Sequence, residues 1–310
     1  MQSSPLEGVF APVLTPFTPE LQPDKPRYVG FCRWVLGQGS GLAVFGTNSE
    51  ANSLSVEEKL DLLAHLVAAG LPASRLVPGT GTCAIPDTVR LCAAAAKAGT
   101  AGVLMLPPFY YKDVSEDGLF AAYAEVIERV GSARLRILLY HIPQVSGVAI
   151  TLPLIARLVH RYPDTVVGIK DSSGDFGHTR SLIENFPGFR VFCGSDSFLL
   201  ETLKHGGHGC ISATANINPG AIVTLHEKWR TDDAAARQAA LVGVRTAVQA
   251  YPMIAALKAC VAHFGACDSF AELRPPLTRL KPDDAAAVAA SLRGRGFSMP
   301  GLAKQLEGEG

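Results

Sequence analysis

The sequence has no surplus of charge: 28 Lys and Arg residues balance 28 Asp and Glu residues over 310 positions. A neutral chain offers no basic footprint for nucleic acid. It also lacks any uninterrupted apolar run near the roughly 20 residues that cross a bilayer. The seven cysteines (Cys32, Cys83, Cys92, Cys193, Cys210, Cys260 and Cys267) form no Cys-x-x-Cys pair and no dense framework. A disulfide-stapled scaffold is thereby excluded, and reduced thiols in the cytoplasm are the simplest account. The opening Met1-Gln2-Ser3-Ser4-Pro5 has none of the basic-then-apolar layout of a secretory signal. With 48% apolar and 18% charged residues, the composition is that of a globular chain. The expectation is a soluble, cytoplasmic protein with no nucleic-acid partner and no membrane partner, whose ligands are small molecules.

What the chain does have is alternation. Short apolar runs at 9–14, 41–45, 76–78, 102–106, 136–140, 166–170, 190–193 and 209–212 each end in a polar or glycine-rich turn and lead into an amphipathic helical pattern. Strands alternating with helices call for parallel pairing through right-handed crossovers. Eight such units in about 220 residues suit a closed (β/α)8 TIM barrel better than an open doubly wound sheet. Helix signals mark the intervening segments. Ser55-Val56-Glu57-Glu58 is a capping box with Gly70 as its stop. Asp87 is placed to cap a helix that ends at Gly99, and Thr151 with Pro153 starts one that closes at Tyr162-Pro163. Beyond about residue 225 the strand pattern gives way to alanine-rich helical segments at 229–264 and 284–292 and a short one near Leu302. No flexible Gly/Ser linker precedes them, so they are expected to pack on the barrel. The expected division is a catalytic barrel over residues 1–225 and a C-terminal helical domain over 226–310.

The run Val166-Val167-Gly168-Ile169 ends on Lys170, and polar turn residues follow. A lysine at the carboxyl end of a strand buried on both faces has little water in which to spread its charge. Burial favours the free amine, a nucleophile that forms imines with carbonyls. The competing reading is a structural salt bridge to Asp171 or another acid. Barrel enzymes collect their reacting groups at strand carboxyl ends, so the other run ends are a test. They supply Gly46-Thr47-Asn48-Ser49-Glu50, whose hydroxyl, amide and backbone donors suit a carboxylate. They also supply Phe109-Tyr110-Tyr111, Tyr140-His141, Gly194-Ser195-Asp196 and Ile211-Ser212-Ala213. Tyr140, at the end of the adjacent run, is the phenol placed to move protons beside an imine, although a core tyrosine bonded to a backbone carbonyl fits that position equally well. His205 and His208 lie three apart without a third ligand nearby, so no metal or other cofactor is expected.

Several of these stretches resemble, in order, the motifs of the dihydrodipicolinate synthase/N-acetylneuraminate lyase family of class I, pyruvate-type aldolases. They are Gly46 to Glu50, Tyr140-His141-Ile142-Pro143, Gly168-Ile169-Lys170-Asp171 and Ile211 to Asn216. The match runs over about residues 6 to 225, and Arg274-Pro275-Pro276-Leu277 is similar to the family's C-terminal signature. The resemblance implies a homotetramer, a dimer of dimers, in which Lys170 forms a Schiff base with pyruvate or a larger 2-oxo acid. Tyr140 would relay protons, and Gly46, Thr47 and Asn48 would hold the carboxylate. Tyr110 matches the tyrosine that reaches across the tight dimer, with Phe109 and Tyr111 as adjacent alternatives. Gly194, Asp196 and Ile211 fall in substrate-binding stretches, Asp196 as a partner for a substrate hydroxyl. Where the synthases carry an arginine for the aldehyde substrate's carboxylate, this chain has Val145. Where sialic acid lyases carry an acid and a serine, it has Ser197 and Ala213. These departures favour an aldolase or dehydratase of a 2-oxo-3-deoxy or 4-hydroxy-2-oxo acid. The alternatives are 4-hydroxy-tetrahydrodipicolinate synthase, joining pyruvate to aspartate semialdehyde, and a non-catalytic 2-oxo acid sensor.

Overall fold

A computed structural model of the chain describes residues 6–307. Seven strands form one parallel sheet: β1 (Gly8–Ala11), β2 (Gly41–Leu42), β3 (Val103–Met105), β4 (Ile137–His141), β5 (Val166–Asp171), β6 (Arg190–Cys193) and β7 (Gly209–Ile211). Their order is β2-β1-β7-β6-β5-β4-β3, so β2 and β3 are its edges. Both faces are buried, as a parallel sheet between helices requires. Phe10, Leu104, Leu138, Phe192 and Ile211 share an inner cluster. The alternate residues Ala11, Ile169, Val191 and Cys210 join the outer one, against the helices.

Seven of the eight expected runs are thus strands, and the run 76–78 is not. Its segment nevertheless spans the gap between the edges. The Val77 N–H donates to the Leu42 carbonyl at 2.8 Å and the Gly79 N–H to that of Val44 at 2.7 Å, while the Leu104 N–H donates to the Pro78 carbonyl at 2.8 Å. Only the single bridges Leu42–Leu76 and Gly79–Leu104 result. Pro78 has no N–H to give, which interrupts the ladder at its middle. Gly79 allows the close approach, since a Cβ there would lie 2.1 Å from the Phe45 carbonyl oxygen. Val77 points into the inner cluster with Phe10 and Leu104.

The capping box forms as expected: the Glu58 N–H donates to Ser55 Oγ at 3.1 Å, and the Ser55 N–H to Glu58 Oε2 at 2.8 Å. Thr151 caps Leu152–Arg161 through the Leu154 N–H. Asp87 does not cap its helix. Ile85–Ala98 begins two residues earlier, with Ala84 at the cap and Pro86 in the first turn, where a missing N–H costs nothing. The stretch expected to be helical over 229–264 is broken. Pro219–Glu227 ends before it, and Ala234–Gln249 and Met253–Phe264 are separated at Pro252. Pro282–Arg293 and Leu302–Leu306 complete the helices. One continuous apolar cluster joins the outer sheet face to Leu257, Val261, Leu292 and Leu306 of these helices. Among the described residues no single helix is long and apolar enough to cross a membrane.

Candidate active site

The register of three strands assembles the centre of the site. Tyr140 of β4 pairs with Lys170 of β5, which pairs with Phe192 of β6. Side chains alternate across a strand, so these three share the inner face and Asp171 points outward. Lys170 and Tyr140 are each 3% exposed. The Lys170 Nζ lies 4.2 Å from the centre of the Tyr140 ring, and among the described residues no carboxylate forms an ion pair with it. Asp171, the acid a structural salt bridge would need, is engaged on the other side. It accepts from the Ser173 N–H at 3.0 Å and the Thr179 hydroxyl at 2.6 Å, and lies 3.1 Å from His178 Nδ1.

The Tyr140 hydroxyl shares a hydrogen bond with Thr47 Oγ1 at 3.1 Å. Thr47 opens the single turn Thr47–Ser49, which is fixed from within. The Gly46 N–H donates to Ser49 Oγ at 3.1 Å, and Thr15 Oγ1 donates to the Ser49 carbonyl at 2.8 Å. Glu50, with φ of 56°, turns away from the site and anchors the loop. Its carboxylate lies 2.5 Å from the Nζ of fully buried Lys258 and accepts from the Arg274 N–H at 2.9 Å. A cavity of about 300 Å³ opens over this centre, lined by Thr47, Asn48, Tyr140, Lys170 and Gly194 among others. The Asn48 amide makes no hydrogen bond within the described residues and is free for a ligand. Gly194 admits the neighbouring strand end closely: a Cβ there would meet Ser172 Oγ at 2.1 Å.

Five expected site residues lie off this cavity, Gly46 among them, its N–H taken up by Ser49 Oγ. Asp196 is 1% exposed, and its Oδ1 accepts from Thr214 Oγ1 at 2.6 Å, Ser212 Oγ at 2.7 Å and Arg245 Nη1 at 3.0 Å. It is enclosed beside the cavity, with its hydrogen bonds directed to protein groups. Ile211 belongs to the apolar floor. Tyr110 and Val145 are 74% and 62% exposed on the outer rim of the chain. Conversely, sequence reasoning missed Arg245, Gln144 and Met253, which line the cavity. Arg245 left one signal: it follows Leu241 by four on the buried stripe of Ala234–Gln249, where a cation is out of place.

Behind the centre, on the helix side, His141, Asp171 and His178 have ligating atoms within 4.8 Å of one another. Their hydrogen bonds argue for an anchor rather than a metal site. His141 Nδ1 accepts from the Ile150 N–H at 3.1 Å, which leaves the proton of a neutral ring on its other nitrogen. Burial holds its pKa down to about 4, aided by His178 and opposed by Asp171. His178 is raised by its bond to Asp171. Burial works against the Asp171 carboxylate, but bonds from His178, Thr179 and the Ser173 N–H outweigh it and keep its pKa below the usual range.

A parallel α/β fold with lysine, tyrosine and hydroxyl donors around one cavity at the strand carboxyl ends has the layout of a barrel-type enzyme site. The chain belongs to the dihydrodipicolinate synthetase family, whose model matches residues 5–294. It is 34% identical to an uncharacterized DapA-like lyase of Chloroflexus aurantiacus, over 92% of this chain and 95% of that one. It is 33% identical to the putative 2-dehydro-3-deoxy-D-gluconate aldolase YagE of Escherichia coli, over 76% and 78% of the two chains. The solved structure of YagE in complex with pyruvate superimposes with a TM-score of 0.85, 28% identity and coverage of 95% and 100%. Dihydrodipicolinate synthase from Agrobacterium tumefaciens gives a TM-score of 0.86 at 30% identity, over 93% and 98%.

Proposed function

We propose that this lyase works through a Schiff base on Lys170 and acts as an aldolase or dehydratase on pyruvate and a 2-oxo-3-deoxy or 4-hydroxy-2-oxo acid. One observation carries the reading: a buried lysine with no acid partner among the described residues lies against a tyrosine that is already hydrogen-bonded to the Thr47 loop. In the proposed cycle the Lys170 amine attacks C2 of the 2-oxo acid, and the adduct loses water to give an iminium. Thr47 and Asn48 hold the carboxylate through their side chains and backbone N–H groups, on a turn braced by the Gly46 N–H. Tyr140 gives its proton to the hydroxyl that departs as water; in cleavage the C4 hydroxyl gives up its proton to the resulting Tyr140 phenolate, the C3–C4 bond breaks, and its electrons flow into the iminium as an enamine while the aldehyde leaves. C3 then takes back a proton, and water releases pyruvate and the free amine. General acid–base help of this kind contributes about 10² to 10⁴ in rate. The pyruvate complex and the name of YagE support this substrate class.

The name of the Agrobacterium relative supports the synthase alternative. Val145, standing where the synthases carry their arginine, weighs against it. The intact Tyr140–Thr47 pair weighs against a sensor. The same proposal extends to the frame: a closed (β/α)8 barrel with 76–80 as its eighth stave, covered by the helices beyond residue 226, in a cytoplasmic homotetramer. Tyr110 and Tyr111, 74% and 72% exposed, are the surface a second copy would cover. Borohydride reduction in the presence of pyruvate tests the chemistry, since it fixes the imine to the lysine that forms it.

A further inference from the structure

Resting on the Schiff-base reading, we propose that Arg245 recognises a carboxylate at the far end of the second substrate, so that the preferred substrate is a 2-oxo diacid. The charged residues around the cavity are Lys170, Asp171 and Arg245. Lys170 is taken up by the imine, and Asp171 is turned toward Thr179 and His178. The substrate's own 2-oxo carboxylate is held by the neutral donors of the Thr47 loop. Among the described residues Arg245 is therefore the cation at the cavity left for the distal end, its ion pair with Asp196 engaging only Nη1.

Its guanidinium is held ready for that task. Nη1 donates to Asp196 Oδ1 at 3.0 Å and to Ser212 Oγ at 3.2 Å, which ties the side chain to the ends of β6 and β7. Asp196 is itself fixed by Ser212 and Thr214. No hydrogen bond from the described residues occupies Nε or Nη2, and the side chain is 16% exposed at the cavity wall. A planar fork pinned at one nitrogen fixes the directions of the others, so a carboxylate meets donors already ordered. Phe198, Ala213 and Met253 flank it without charge, and the acid beside it, Asp196, is shared with Ser212 and Thr214. On this account Asp196 acts through Arg245 as a positioning residue.

The test compares two ligands of equal length, 2-oxoglutarate and 2-oxopentanoate, which differ only in the distal carboxylate. The concentration of each needed for half-maximal borohydride trapping is measured, with pyruvate as the reference for each protein. The wild-type protein should trap 2-oxoglutarate at a concentration about tenfold or more below that of 2-oxopentanoate, the effect of one charge-assisted pair. In Arg245→Gln that ratio should fall toward one. Equal trapping of the two by the wild type, or a ratio that persists in Arg245→Gln, overturns the proposal. If Arg245→Gln does not fold, the wild-type ratio decides alone. Failure to trap pyruvate at all overturns the Schiff-base reading and this inference with it. Trapping of pyruvate without discrimination overturns this inference only.

Discussion

Lys170 and Asp171 are adjacent in sequence, and the two-residue period of a strand sends them to opposite faces of the sheet. That single fact separates the two readings left open for the lysine, because the nearest acid cannot reach it. The lysine and tyrosine were legible from sequence as residues ending neighbouring strands. Asp196 was legible as a polar residue at a strand end, but its capture by Arg245 was not, since the two are far apart in the chain and meet only by packing. His141 carries a prediction at this scale. Its folded pKa is about 4 against a usual 6.5, so the unfolded chain takes up the proton first. The stability due to neutral His141 is present above about pH 6.5 and lost as pH falls toward 4. His178 has the opposite sign: its contribution is present below 6.5 and lost as pH rises through its raised folded value. Urea midpoints measured from pH 7 down to 4 should fall less steeply in His141→Gln than in the wild type. An unchanged slope would show that His141 does not set the acid limit.

At the scale of elements, the loop proposed to hold the carboxylate is supported from the far end of the chain. Glu50 meets Lys258 of Met253–Phe264, while Arg274 donates its N–H to Glu50 and its guanidinium to Glu58, the Leu21 carbonyl and the Ser53 carbonyl. Burial pushes Lys258 down to about 8, against the pull of Glu50. The Gly46–Glu50 and Arg274–Leu277 stretches were each visible in the sequence, but nothing in linear pattern joins them. Lys258 looked like any lysine in an alanine-rich helix. Removing one member of a buried pair strands the other charge, at about 3–5 kcal/mol. Lys258→Met should therefore cost that much in urea denaturation, and adding Glu50→Gln should recover part of it. Additive losses in the double variant would mean the two groups do not depend on each other.

For the whole molecule, the alternation of runs and helix signals carried most of the fold, since apolar periodicity and caps are local properties. The eighth run is where it stopped. Pro78 and Gly79 look like the end of a strand in sequence, and they instead make a segment that touches both edges without a ladder. The exposed Tyr110 and Tyr111 belong to this scale too, because a single chain leaves them without cover. Sedimentation at micromolar concentration should find a tetramer. Tyr110→Ser combined with Tyr111→Ser should shift it to smaller species, and a wild-type monomer would refute the assembly. The central claim is settled by one measurement: borohydride reduction with pyruvate, followed by peptide mass analysis of the wild type and Lys170→Ala. The account predicts that the peptide bearing Lys170 gains the mass of pyruvate less water plus two hydrogens, and that Lys170→Ala gains nothing. An unmodified Lys170 peptide, or an adduct on another lysine, would contradict it.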